Sequence, residues 1–291
     1  MARGYANHPM TRRAPLSILV NMMGWQLKAS ILSGEHEVKW IAGTRLLVRR
    51  GMTGATGNVY YGLAEYHDMA FALHLLRPED LFVDVGANVG AYSVLASGVC
   101  GSRVVALEPI QAAAKQLRAN LALNGLHPRV EVIEACIGDR EATVRMTCGF
   151  DTTNRVVSGG ELAESANVEV PMKTLDQILE AKCPVLIKID TEGHEGNVLL
   201  GSQRVLQAPS LLAVSVEGDG SKSYPSLDGL TIAGWMKKFG FDPVSYNGSS
   251  RTLSTNPVAV RMNNLLFARN IEECRHRLAT ARSVQVLGVQ V

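Results

Sequence analysis

The chain has 291 residues, of which 46% are hydrophobic and 19% charged, a balance that fills a core without metals or disulfides and excludes a disordered chain. Twenty-nine Lys and Arg against 27 Asp and Glu leave a net charge of +2, too little for an electrostatic grip on a phosphate backbone, so no nucleic-acid partner is expected. No apolar run reaches the ~20 residues that span a bilayer.

At the N-terminal end, Thr11-Arg12-Arg13 precedes an apolar stretch over residues 16–25, an arrangement similar to a twin-arginine leader. Pro15 and Asn21 interrupt it, and Leu16, Leu19, Val20, Met23 and Leu27 recur at helical spacing, which predicts an amphipathic helix packed on the domain. Residues 1–55 read as a helical and short-strand cap, 56–270 as the main domain and 271–291 as a helical tail whose Arg275, Arg277 and Arg282 form a solvated face. From residue 79 to about 268, β-rich runs alternate with helical patterns. The predicted strands are 81–85, 103–107, 130–135, 185–189, 211–216 and 265–268, with helices at 92–98, 110–124, 195–207 and 227–239. This is the α/β pattern of a doubly wound, mostly parallel sheet. Residues 141–175 break the rhythm and predict a β insertion after the third strand, with strands at 142–148 and 168–172 around a polar link containing Asp151-Thr152-Thr153-Asn154. Loops of this kind edge functional sites. Five widely spaced cysteines, Cys100, Cys136, Cys148, Cys183 and Cys274, without a CxxC pair, match neither a disulfide framework nor a zinc site and favour a reducing, cytoplasmic setting.

The first predicted strand ends in Asp84-Val85-Gly86-Ala87-Asn88-Val89-Gly90 and leads into a helix, the context that separates a nucleotide-type turn from a chance pair of glycines. Gly86 can take a positive φ, Asn88 tolerates the left-handed region, and Gly90 lets the helix pack closely. Glu108 ends the next strand 22 residues after Gly86, where a carboxylate accepts the hydroxyls of a ribose. A dinucleotide turn carries a glycine where Asn88 stands, so nicotinamide cofactors are disfavoured. S-adenosylmethionine presents an ammonium, a carboxylate, a ribose and an adenine, and Asp84 and Glu108 match it.

These residues resemble the FkbM family of class I methyltransferases, which is similar in carrying D-x-G-A-N-x-G, then E-P, then K-x-D-x-E-G-x-E; here these are Asp84 to Gly90, Glu108-Pro109 and Lys188-Ile189-Asp190-Thr191-Glu192-Gly193-His194-Glu195. The resemblance runs from about residue 60 to 269 and implies a Rossmann-like sheet of seven strands and S-adenosylmethionine as cofactor, with S-adenosylhomocysteine as product. It implies cofactor contacts from Asp84, Gly86, Asn88, Gly90, Ser93, Glu108, Pro109 and Asp190, with Ile137 and Gly138 beside the adenine. Family members often carry an acid close to a Tyr where this chain has Tyr60-Tyr61-Gly62, a departure at the acceptor side.

Asp190 follows the fourth strand, at the carboxyl end where ligands sit, and is expected to face the sulfonium methyl. Lys188 and Asp190 point the same way along the strand, and Glu192, His194 and Glu195 line the turn beyond. Asp190, Glu192 and His194 are the candidate catalytic groups. Methyl transfer to a hydroxyl needs alignment and removal of a proton, and a histidine, with an ordinary pKa near ~6.5, suits that task. Glu192 and Glu195 also suit a helix N-terminus for purely structural reasons. Tyr61, His67, Asp151, Asn154 and Glu217 are expected at the acceptor. No divalent metal is expected, although Asp190 with Glu217 or Asp219 has the ligand types to hold magnesium. The expectation is O-methylation of a small molecule or glycan, with a homodimer as one assembly considered. The rival readings are RNA or protein methylation, or a cofactor-binding module without transfer activity.

Overall fold

The computed structural model describes residues 8–148, 154–157, 167–218 and 220–291. The N-terminal part contains helices α1 (Pro9–Arg13) and α2 (Pro15–Ile31), a hairpin of β1 (Glu35–Lys39) and β2 (Arg45–Arg49), then α3 (Thr53–Tyr61) and α4 (Tyr66–Leu75). Strands and helices then alternate: β3 (Leu81–Val85), α5 (Ala91–Gly98), β4 (Arg103–Leu107), α6 (Gln111–Leu123) and β5 (Val130–Ile133). An inserted sheet follows, of β6 (Cys136–Ile137), β7 (Ala142–Thr147) and β8 (Asn167–Lys173), β7 and β8 pairing antiparallel from Ala142 against Met172. The chain then re-enters the main sheet through α7 (Leu175–Leu179), β9 (Leu186–Ile189), α8 (Glu195–Leu200), α9 (Gln203–Gln207), β10 (Ala213–Val216) and α10 (Ile232–Lys237). It ends with β11 (Asp242–Asn247), β12 (Thr252–Ser254), β13 (Leu265–Ala268), α11 (Ile271–Thr280) and a hairpin of β14 (Gln285–Val286) and β15 (Val289–Gln290).

The main sheet has the order β12-β11-β13-β10-β9-β3-β4-β5. From β5 to β10 all neighbours are parallel, and β13 joins antiparallel. Every residue of β3 and β9 is buried, because helices cover both faces of a parallel sheet, which is why these strands read as unbroken apolar runs. The chain winds outward from β3 to β5, then returns to β9 on the other side of β3. The strand order therefore reverses beside β3, and in open α/β sheets ligands bind at such a reversal.

Eight strands rather than the expected seven compose this sheet, because the three-residue β12 adds itself to β11. Both escape a periodicity reading: β12 is short, and β11 contains Asp242 and Pro243, residue types that strands disfavour. The helix expected over 195–207 is two helices, broken at Gly201 and Ser202. The one expected over 227–239 begins only at Ile232, where the Thr231 hydroxyl accepts the Gly234 amide at 3.1 Å and caps it.

Two expectations at the ends are corrected. Helix α2 forms, but Leu16, Leu19, Val20, Met23 and Leu27 face solvent while Ile18 and Trp25 turn inward onto the core that includes Phe82 and Leu95. Both faces of this helix are apolar, so spacing alone does not choose between them. The choice is made by Trp25 packing and by Asn21 Nδ2 and Gln26 Nε2, which donate to the Val59 carbonyl at 3.2 Å and the Tyr60 hydroxyl at 2.6 Å. In the tail, Arg277 is no solvated side chain: it donates to Asp80 at 2.6 Å and Glu273 at 2.8 Å, tying α11 to the entry of β3.

Candidate active site

A cavity of ≈ 370 Å³ opens at the carboxyl ends of β3, β4, β9 and β10. The turn after β3 forms its floor. Gly86 has φ +79°, and a Cβ there would collide with the backbone carbonyl oxygen of Asp190, so the ends of β3 and β9 approach too closely for any other residue. Asn88 takes φ +50°, as its side-chain type permits. Gly90, at φ +87°, precedes α5, and a Cβ on it would strike Leu117 of α6.

Glu108 binds this turn to the next one. Its Oε2 accepts the Asn88 amide and its Oε1 the Ile110 amide, both at 2.9 Å, leaving each oxygen a further lone pair toward the cavity. Burial pushes its pKa up to about 7 against the pull of those two amides. Asp84 is buried, and its Oδ2 accepts the Ser93 hydroxyl at 2.7 Å; burial raises this carboxyl too, opposed by the charge of Lys188.

The reaction end is built on β9 and β10. The Asp190 amide donates to the Val85 carbonyl at 3.0 Å and the Glu217 amide to the Ile189 carbonyl at 2.8 Å, so the two acids stand at adjacent strand ends. Lys188 is buried; its Nζ donates to Asp190 Oδ2 at 2.5 Å and lies 4.8 Å from the centre of the Tyr92 ring. Burial works against a charged Asp190, but the Lys188 ammonium holds its carboxyl below the ordinary value. Glu217 goes the other way: burial and the Asp190 charge push it up to about 8, and its carboxyl shares a hydrogen bond with Asp190. Oxygens of Asp190, Glu192 and Glu217 lie within 4.8 Å of one another. Glu192 holds the left-handed conformation at φ +53°, uncommon for a residue with a Cβ, and burial raises its pKa. Glu195 has a structural role: its Oε1 accepts the Gly193 amide at 2.8 Å and the Thr191 hydroxyl at 3.1 Å, which fixes the turn that carries Glu192.

The structure thus brings Asp84, Gly86, Asn88, Glu108, Pro109, Ile137, Asn154, Asp190, Glu192, His194 and Glu217 to one cavity. Gly90, Ser93 and Gly138 stand behind its lining, Ser93 as the partner of Asp84. His194 lies against Gly138. Its Nε2 is buried without a partner among the described residues and would lie 3.1 Å from a Cβ on Gly138, and burial lowers its pKa. Tyr61 and His67 do not reach the cavity: the Tyr61 ring stacks on His8 at 4.2 Å, and His67 Nδ1 accepts the Gly248 amide at 3.1 Å. Asp151 and Asp219 lie outside the described residues. Cys136 lines the cavity as an inert thiol, burial pushing it up to about 12.

Sequence reasoning missed Glu65 and Tyr92. The Tyr92 hydroxyl donates to Glu65 Oε2 at 2.5 Å, Asn264 Nδ2 donates to the same oxygen at 3.2 Å, and both residues line the cavity. The signal was present: Glu65-Tyr66 is an acid beside a tyrosine, a few residues beyond the Tyr60-Tyr61-Gly62 stretch where such a pair was sought.

Six carboxyl side chains, Glu65, Asp84, Glu108, Asp190, Glu192 and Glu217, line the cavity against a single ammonium, that of Lys188, among the described residues. This suits a ligand carrying a sulfonium and an ammonium, and the spare lone pairs of Glu108 suit ribose hydroxyls. Sheet order, turn and acid define the class I, S-adenosylmethionine-dependent methyltransferases. The Methyltransferase FkbM domain matches residues 84–243, and the chain belongs to that family, with S-adenosylmethionine as its cofactor. A curated relative, the AMB antimetabolite synthetase AmbE of Pseudomonas aeruginosa, is 33% identical over 167 residues, 44% of this chain; the match spans only 8% of the synthetase. Among solved structures, TYW2 of M. jannaschii in complex with AdoMet aligns over 82% of this chain and 88% of its own, at 14% identity and a TM-score of 0.43. A SAM-dependent methyltransferase from Agrobacterium tumefaciens aligns over 81% and 70%, at 12% identity and a TM-score of 0.42.

Proposed function

We propose that this methyltransferase acts on a hydroxyl of a small molecule or glycan. The observation that carries the reading is the Lys188–Asp190–Glu217 array at the ends of β9 and β10. Glu108 would hold the ribose of S-adenosylmethionine, and the acids at the other end its cationic groups. The bound cofactor supplies an electrophilic methyl group. Lys188 keeps Asp190 ionised and fixed in direction, so Asp190 accepts a hydrogen bond from the acceptor hydroxyl and orients it. Glu217, raised toward neutrality, receives the proton that the hydroxyl gives up. This assigns the base to Glu217 rather than to His194, whose ring sits against Gly138. The Lys188 ammonium balances the charge of Asp190, and the reading invokes no divalent ion. A net charge of +2 and a relative that is an antimetabolite synthetase both favour a small acceptor over RNA.

The test is release of S-adenosylhomocysteine across panels of hydroxylated metabolites, free sugars, amines, tRNA and peptides. Turnover confined to hydroxyl acceptors supports the reading. Turnover confined to tRNA, peptides or amines overturns it.

A further inference from the structure

Among the described residues nine large apolar side chains stand exposed, and six of them, Leu16, Leu19, Val20, Met23, Leu27 and Ile31, belong to α2, at 48–76% exposure. At 100° per residue they fall in one stripe roughly 120° wide along the helix. The opposite face is buried through Ile18 and Trp25, so the helix is seated on the domain and presents a second apolar face outward. Contiguous exposed apolar surface on this scale marks an interaction site.

Charge identifies the occupant. Residues 8–34 contain Arg12, Arg13 and Lys28 and not one acidic side chain. Arg13 is engaged with Tyr66, Ser249 and the Gln290 carbonyl, whereas Arg12 is exposed and Lys28 flanks the stripe, touching only the Glu37 carbonyl at 3.4 Å. Two copies meeting stripe to stripe would lay this basic, acid-free segment against itself, while an anionic lipid surface complements it. At 17 residues the helix is about 26 Å long, shorter than the ~30 Å bilayer core, and one face is committed to the domain, so it lies along a membrane rather than through it.

We propose that α2 docks the protein on an anionic bilayer surface, with its apolar stripe at the boundary between headgroups and acyl chains and Arg12 and Lys28 at the level of the phosphates. The docked face lies one helix from the active site: α2 packs on α3, and α3 contributes Gly54 and Asn58 to the cavity.

The full chain is mixed with large vesicles of phosphatidylcholine containing about 30% phosphatidylglycerol, and with vesicles of pure phosphatidylcholine, and binding is read by sedimentation. Two basic side chains near the surface give an expected preference for the anionic vesicles of about thirtyfold, lost at about 0.5 M NaCl. The double substitution Leu19→Glu/Met23→Glu should abolish vesicle binding, and Arg12→Glu/Lys28→Glu should remove the anionic preference. Arg12, Leu19 and Met23 are exposed and half-buried Lys28 makes one long carbonyl contact, so the melting temperature and S-adenosylhomocysteine affinity should stay near wild-type values, which separates lost docking from lost fold. Wild type that fails to bind anionic vesicles, or binds both vesicle types equally at any salt, overturns the proposal. So does a dimer in sedimentation velocity that Leu19→Glu/Met23→Glu dissociates without any lipid binding, which would make this face a contact between copies.

Discussion

Replacing Glu108 separates two functions that one carboxylate performs. Its oxygens accept the Asn88 and Ile110 amides at 2.9 Å each, and their remaining lone pairs are the ones available to the two ribose hydroxyls. A hydrogen bond to a charged acceptor contributes ~1.5–3 kcal/mol, so Glu108→Ala should weaken S-adenosylmethionine binding roughly ten- to hundredfold. The same change leaves two amides without acceptors, lowering stability by a further ~1–3 kcal/mol for each one that water does not reach. The pH dependence gives an independent reading. Burial holds Glu108 up to about 7, and donor hydroxyls favour its ionised form. Below that value the protonated carboxyl must lose its proton before it can bind, so affinity should rise as pH increases from about 6 to about 8, with proton release on binding. Titration calorimetry of wild type and Glu108→Gln, in buffers of different ionisation enthalpy, checks both points. Unchanged affinity in Glu108→Ala, or a wild-type pH slope that Glu108→Gln retains in full, would refute the assignment.

Gly86→Ala should lower stability by about 1–3 kcal/mol in a thermal melt, because φ +79° strains any Cβ and this one meets the Asp190 carbonyl. Glu217→Gln should reduce single-turnover methyl transfer by ~10²- to 10⁴-fold with cofactor affinity retained. In wild type the same rate should increase with pH through about 8, since Glu217 acts only after losing its proton, and a flat profile would argue against it as base. His194→Ala should leave that rate within a few-fold of wild type; a loss as large as that in Glu217→Gln would return the base to the histidine. Chelation by EDTA should leave turnover unchanged, and loss of activity restored by magnesium would instead assign the Asp190, Glu192 and Glu217 oxygens to a cation.

The parallel half of the sheet was legible in the chain itself. Strands buried on both faces must be continuously apolar: 81–85 and 103–107 coincide with the observed β3 and β4, and 185–189 contains β9. The turn was legible for a similarly local reason: Gly86, Asn88 and Gly90 are residue types that accept positive φ, and all three adopt it. Helix α2 marks where local information ends. Its two faces are nearly equal in apolar character, and only the docking of Trp25 and the bonds of Asn21 and Gln26 decide which one turns inward. The reacting edge was half visible. Asp190 announced itself at the end of β9, but its charge state depends on Lys188, and the raised pKa of Glu217 depends on a neighbouring strand end. Glu65 and Tyr92, 27 residues apart, meet at the cavity only because α4 and α5 are brought together over the sheet. Sequence spacing determines which side chains share a face of one element. Which elements face each other, and hence which carboxyl keeps its proton, is settled by tertiary packing, because desolvation and charge act through space and not along the chain.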